Sequence, residues 1–358
     1  MDNFWLFLPL LLLSISTHIG TLILLAQKRT LRSPYRHDTN HTSQEAEHAT
    51  SIITDLGVLS ALVSLAVPFT VLDVPCLVQC GLRVLAFFYA CKILDLALTK
   101  ADEPPTRLLR RPLSKDGEAA GRTPAPMNTT WDHTVYVWYL LTEMRYHSFS
   151  THIAQKNRQN LHNQPLSAKL LWTLGPLILL PYLAYAYPSS AILKAATLLL
   201  IIQHALEILH TLLHPRCPEP EFYLPFSAAT LSDFWSTHWQ GAAAPFLQSL
   251  AYRPVLHLTG SRAYAVLATF CLTGVWHAWA AAPAVTRPWL LGAEVWVLFM
   301  GFGVGCLGEK WFWGSRQGGF VQRAVVWGWS LGFAGVCVRT LEESCRIGWV
   351  REYAGGRG

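Results

Sequence analysis

Two stretches of this 358-residue sequence place groups able to move a proton among residues that otherwise belong in lipid. The first is Thr269-Phe-Cys-Leu-Thr-Gly-Val-Trp-His-Ala-Trp279, where His277 sits well inside an apolar run. An ionisable side chain at membrane depth is costly and is by default a functional-site candidate. Neutral imidazole can both accept and donate a proton, which suits a general base. Gly274, three residues before it, lets another helix or a substrate approach closely. The other role open to His277 is that of a core histidine hydrogen-bonded to a neighbouring helix.

The second stretch is Thr230-Leu-Ser-Asp-Phe-Trp-Ser-Thr-His-Trp-Gln240, continuing to Tyr252-Arg253-Pro254. Asp233, His238 and Gln240 alternate with Phe234, Trp235 and Trp239. It is too polar to span comfortably and too aromatic for a plain loop. Polar backbone is tolerated at membrane depth only where protein buries it or water lines it. The pattern therefore predicts a re-entrant or interfacial amphipathic segment lining an intramembrane cavity, with Thr230 or Ser232 as its cap. An ordinary interfacial helix carrying part of an aromatic belt is the alternative. A third set, His204, Glu207, His210 and His214, falls on roughly one helix face. One such run resembles a single histidine box of the membrane di-iron hydroxylases. No second or third box follows, so a polar seam facing the protein interior is expected and no metal site.

These groups need long apolar elements to hold them, and the composition supplies them. The chain is 52% hydrophobic and only 14% charged, against roughly 25% charged in average soluble domains. That leaves too little polar surface to cover a water-soluble globule of this size, and the 15 Trp residues suit membrane interfaces. A span needs about 20 mostly apolar residues. Candidates are Phe4 to Ala26, Leu56 to Asp73, Cys76 to Leu98, Ala168 to Tyr187, Ala191 to Leu213, Ala263 to Val285, Trp289 to Leu307 and Val321 to Val338. The first lacks the basic flank and the cleavage site of a signal peptide and reads as a retained helix. The expected fold is all-α and integral to the membrane. About eight transmembrane helices, plus the amphipathic segment, would surround an intramembrane cavity. Residues 1–99 would form N-terminal transmembrane helices and 100–167 a cytosolic loop with an interfacial helix from Thr134 to Ile153. Residues 168–358 would be the core that carries the chemistry. Within the loop, 101–126 has no period and reads as disordered.

Lys28, Arg29, Arg32 and Arg36 follow the first helix directly, which puts that loop in the cytosol and the N-terminus in the lumen. Counting helices forward puts 100–167 and 214–262 in the cytosol too. The net charge of +6 fits a face near anionic headgroups, and no nucleic-acid module is present. The eight cysteines form no C-x-x-C pair and read as small buried hydrophobes.

Several of these residues also carry a resemblance. Glu221-Phe-Tyr-Leu-Pro-Phe, Ser232-Asp233-Phe234-Trp235 with Trp239, and Tyr252-Arg253-Pro254 resemble the wax-synthase-like branch of the membrane-bound O-acyltransferases. Thr273-Gly-Val-Trp-His277 resembles that branch's active-site element. Tyr89-Ala-Cys-Lys-Ile-Leu-Asp95 resembles its lysine–aspartate element, and Thr142-Glu-Met-Arg145 its segment after the long loop. Within that branch the sequence resembles fungal acetyltransferases that decorate terpenoids and meroterpenoids. The resemblance implies transfer of an acyl group, in that group acetyl, from acyl-CoA to a hydroxyl of a lipophilic terpenoid-like acceptor in the endoplasmic reticulum membrane. No cofactor is bound permanently; acyl-CoA is a co-substrate. His277 would be the base. Gln240 stands where the family often has Asn, so its catalytic role rests on an amide shifted by one methylene. Asp233, Trp235, His238, Trp239, Arg253 and Trp276 would contact substrates, with Arg253 and His238 toward CoA phosphates. Headgroup snorkelling is the other role open to Arg253.

Two other classes compete. A membrane terpene cyclase would use buried carboxylates, for which Asp95, Glu207 and Glu294 are the candidates. A non-catalytic transporter tends to carry inverted repeats, and the sequence has none. The charge-derived orientation has a direct check. Asn40-His-Thr and Asn128-Thr-Thr are glycosylation sequons in loops assigned to the cytosol. Endoglycosidase treatment of the microsomal protein is expected to leave its mobility unchanged; a shift abolished by Asn128→Gln would invert the topology.

Overall fold

The computed structural model describes residues 4–31, 42–71, 74–110, 122–146, 148–150, 178–179, 181–183, 185–214, 228–239, 241–314 and 319–344. Almost all regular structure there is helical. Six of the described helices are long and apolar enough to cross a membrane: Leu6–Thr30, Glu47–Thr70, Ala191–His210, Arg262–Ala284, Pro288–Trp313 and Phe320–Thr340. The protein is a multi-pass membrane protein. The expected span Ala168 to Tyr187 lies largely outside the described residues. Two compact units divide the chain, residues 1–73 with 85–153 and residues 74–84 with 154–358.

The first unit contains α1 (Phe4–Leu31), α2 (Thr42–Ala66), the second half of α3 (Cys76–Leu94), strands β1 (Leu108–Arg110) and β2 (Arg122–Pro124), and α4 (Thr130–Thr142). Helix α2 starts well before the apolar run that announced it at Leu56, because its first turns are polar and carry no hydrophobic signal. Helices α1 and α2 close on small residues, as membrane helices do. Ser14 and Ser64 share a hydrogen bond of 2.7 Å. A Cβ on Gly57 would lie 2.3 Å from that of Ala97, so only glycine fits there.

Two features of this unit depart from the sequence expectation. The stretch 101–126 is not wholly irregular. β1 and β2 pair antiparallel at its base, Leu109 opposite Thr123, and Leu108 N donates to Ser148 O at 2.7 Å. Backbone pairing of three residues needs no hydrophobic period, so the sequence carried no sign of it. The interfacial helix starts and stops earlier than Thr134 to Ile153. Thr129 and Asp132 form a capping box that opens α4, with Asp132 N donating to Thr129 Oγ1 at 3.1 Å and Asp132 Oδ2 accepting from Thr129 N at 2.9 Å. The Thr129 hydroxyl, more than any other group, holds the Asp132 carboxyl below its usual range. A depressed carboxyl stabilises above its unfolded pKa, so this cap is intact at neutral pH and is lost only in strong acid.

Past the end of α4 the chain turns through Tyr146, the sole non-glycine with positive φ (54°) among the described residues. This turn meets the lysine–aspartate element of α3. Lys92 Nζ donates to the carbonyls of Leu141 (3.2 Å) and Glu143 (2.6 Å), a cation on the C-terminal end of α4. Its ammonium also lies 5.2 Å from the centre of the Tyr146 ring. Asp95 opens a π-helical turn, Asp95–Thr99, and accepts from Lys100, from Thr99 Oγ1 at 2.8 Å and from Tyr146 OH at 3.4 Å. The two sequence elements on either side of the long loop are thus partners in one buried polar network. Removing one member of a buried charge pair typically costs about 3–5 kcal/mol. Asp95→Ala is accordingly expected to lower both yield and the detergent-solubilised unfolding temperature, whereas exposed Glu103→Ala is expected to change neither by much.

In the second unit, α5 (Ala191–Leu213) packs on α11 (Phe320–Ser344), and α9 (Arg262–Ala281) packs on α10 (Pro288–Trp313). Between α5 and α9 run the short helices α6 (Leu231–Asp233), α7 (Ala244–Leu247) and α8 (Arg253–Thr259). Gln203, His210 and His214 of the polar seam on α5 are buried, and His204 Nδ1 bonds Leu200 O at 2.7 Å.

Candidate active site

The site residues of the sequence that the structure describes fall in this second unit, on α6 and the π-turn after it, on α8 and on α9, with α10 packed against them. Helix α6 is a single turn. Thr230 is its N-cap, accepting from Asp233 N at 2.9 Å. It then widens into a π-helix, Phe234–Trp239. A π-turn closes hydrogen bonds five residues apart in place of four, and the side chains follow. Asp233 Oδ2 meets His238 Nε2 at 3.4 Å. Phe234 and Trp239, also five apart, lie with ring planes 9° from parallel and centres 6.4 Å apart. The widened turn therefore makes one polar side and one aromatic side out of residues that a 3.6-residue period would not pair.

The aromatic side is buried. Trp235 inserts among Phe270 of α9 and Phe299 and Phe302 of α10, with ring centres 5.6, 5.5 and 4.8 Å away. On the neighbouring helix, His277 lies against the same Phe299 ring at 4.5 Å. The imidazole is held by its own helix and not by a neighbour: Nδ1 bonds the carbonyl of Thr273, one turn back, at 2.9 Å. A carbonyl can only accept, so Nδ1 carries the proton and Nε2 presents a lone pair. That is the tautomer a general base needs. Trp276 beside it contacts Phe246 of α7, ring centres 6.0 Å apart.

Close approach of α9 and α10 sets these distances. A Cβ on Gly274 would sit 3.2 Å from Trp296 Cα and 3.3 Å from Phe299 Cβ. On the facing helix, a Cβ on Gly303 would sit 3.1 Å from both Leu267 and Phe270. Gly274 thus admits another helix, one of the two uses expected of it. At the far end of α9, Arg83 donates to Trp279 O at 3.0 Å, a cation at the helix C-terminus two residues beyond His277.

Glu309 was not foreseen. It lies two residues beyond the expected end of its span, yet it is buried. Its carboxylate reaches from α10 to the start of α6, accepting from Leu231 N at 3.0 Å and from Ser232 N at 3.3 Å. These are orphan donors of a helix N-terminus, which a carboxylate satisfies well. Its one legible sign was an acid at the tail of a long apolar run. Of the remaining candidates, Arg253 is exposed in the first turn of α8, with no side-chain hydrogen bond among the described residues. Gln240 and Glu221 to Phe226 lie outside the described residues.

Residues 218–300 match the membrane bound O-acyl transferase family. The matched stretch takes in all of α6 to α9 and the part of α10 that carries Phe299, but stops short of Glu309. No curated protein and no solved structure matches the chain.

Glu309→Ala leaves two helix N–H groups without an acceptor. A lost cap of this kind costs about 1–3 kcal/mol. The variant is expected to unfold at lower temperature in detergent than Glu309→Gln, which keeps one acceptor oxygen.

Proposed function

We propose that this protein is an O-acyltransferase that moves an acyl group, acetyl in the first instance, from acyl-CoA to a hydroxyl of a lipophilic acceptor of the terpenoid class. Its membrane would be that of the endoplasmic reticulum. The observation that carries the reading is His277: a histidine within the matched stretch, inside a membrane-crossing helix, with Nδ1 engaged by Thr273 O and Nε2 left to accept.

In this reading the acceptor hydroxyl reaches Nε2 from the bilayer, and acyl-CoA comes from the cytosolic side. As the hydroxyl oxygen attacks the thioester carbonyl, its proton passes to Nε2. The Thr273 carbonyl then faces an imidazolium and stabilises it. Collapse of the tetrahedral intermediate expels CoA thiolate, which recovers the proton. No covalent enzyme intermediate is needed, so the gain comes from holding two substrates together. Asp233, His238, Trp239 and Trp276 would contact the substrates, with Arg253 and His238 toward CoA phosphates and Gln240 as a second polar group near the reacting carbonyl.

The cyclase reading needs a carboxylic acid free to donate. Asp95 accepts from Lys100, Thr99 and Tyr146, so its oxygens are already engaged. That weighs against Asp95, and leaves Glu294, whose Oε2 is buried without a partner among the described residues, as the acid such a reading would use.

The test is microsomes carrying His277→Ala, assayed with labelled acetyl-CoA and a panel of terpenoid alcohols. Loss of a general base is expected to cut transfer about 10²–10⁴-fold. Undiminished transfer would overturn the assignment, and cyclisation of a polyene without CoA would establish the cyclase in its place.

A further inference from the structure

The buried indole of Trp235 leaves one group unexplained. The residue is 8% exposed. Its Nε1–H is sealed from solvent and has no hydrogen-bond partner among the described residues. The four rings around it, Phe234, Phe270, Phe299 and Phe302, offer no acceptor oxygen or nitrogen. A buried donor left without an acceptor is costly, and native proteins leave few of them. If packing alone were at stake, phenylalanine would supply an aromatic ring at this place without that cost. The indole also shares a neighbour with the candidate base. Trp235 and His277 come from different elements, yet both rings lie against Phe299, at 5.5 and 4.5 Å.

We infer that Trp235 Nε1–H is the hydrogen-bond donor that stabilises the oxyanion in acyl transfer, with Phe299 as the ring that separates donor from base until an acyl group enters. The inference rests on the acyltransferase reading of His277 and adds the second half of its chemistry. The attacking oxygen forms a bond to the thioester carbon while its proton goes to His277 Nε2. The carbonyl π pair moves onto oxygen, and that oxygen accepts from Trp235 Nε1–H. When the intermediate collapses the pair returns, the carbon–sulfur bond breaks, and the CoA thiolate takes the proton from His277. A thioester carbonyl entering beside His277 meets Phe299 first and displaces it, which uncovers the N–H. In an apolar box such a donor acts at low dielectric and needs no reorganisation, the condition under which it is worth most. Glu309 contributes at one remove, because it holds the first turn of the segment that carries Trp235.

The experiment replaces the N–H and keeps the ring. Trp235→Phe and Trp235 replaced by benzothienylalanine, whose sulfur substitutes for the N–H at nearly constant shape, are compared with the parent and with His277→Ala in microsomes. Each is assayed for acetyl transfer, KM for acetyl-CoA and detergent unfolding temperature. Loss of one oxyanion donor is expected to lower kcat about 10²–10³-fold. KM and unfolding temperature should stay near parental values, and the isosteric replacement should be as slow as Phe. If the benzothienyl protein keeps kcat within about twofold of the parent while His277→Ala is inactive, Trp235 is a packing residue and the inference fails, with the base assignment standing. If His277→Ala is itself active, the acyltransferase reading fails first, and this inference with it.

Discussion

The arrangement around His277 depends on how closely α9 and α10 approach. Inside a membrane there is no hydrophobic gain in joining two helices, since lipid is as apolar as leucine. Contact has to come from shape. Gly274 on one helix and Gly303 on the other each admit the backbone or a ring of its partner at little more than 3 Å. This brings Phe299 onto the imidazole and Phe302 and Phe270 onto Trp235. A larger residue at either glycine would widen the gap by about a methyl group, and the contacts of both aromatic rings would loosen together. Glu309, a few turns along the same helix, fixes where the segment bearing Trp235 begins. One helix thus sets the contacts of His277, the packing of the indole and the start of the segment that carries it.

Hydrophobic length was readable, and most of the long helices follow from it. What failed was whatever polar atoms or backbone geometry decided. Helix α2 reaches back to Thr42 through turns that carry no apolar signal. The short ladder at the base of the 101–126 stretch relies on backbone bonds alone. The site shows the same split. His277 and the Asp233-to-Trp239 segment stood out because charge and aromatic density break the membrane pattern. The i,i+5 pairing within that segment did not, since it follows from a π-turn that no residue type announces. Glu309 was missed because its value lies in two backbone N–H groups contributed by a segment far away in the sequence.

The lysine–aspartate element gives a second example. Asp95 looked like a candidate for chemistry because charges inside apolar helices usually are. Lys92 instead tethers the carbonyl end of α4, and Asp95 gathers Lys100, Thr99 and the Tyr146 hydroxyl. With both ends satisfied, the network has the character of a latch for the Tyr146 turn. Burial and charge were the same here as at a reactive centre; the count of partners made the difference.

The bond from His277 to Thr273 has an evolutionary consequence. Many catalytic histidines depend on a separate carboxylate or amide to choose their tautomer, and the two must change in concert. Here the orienting group is a peptide carbonyl of the same helix, present whatever side chain occupies position 273. The imidazole travels with its own support. Residues around His277 can then drift without changing which ring nitrogen carries the proton, so that the walls of the site can vary while the imidazole keeps its orientation.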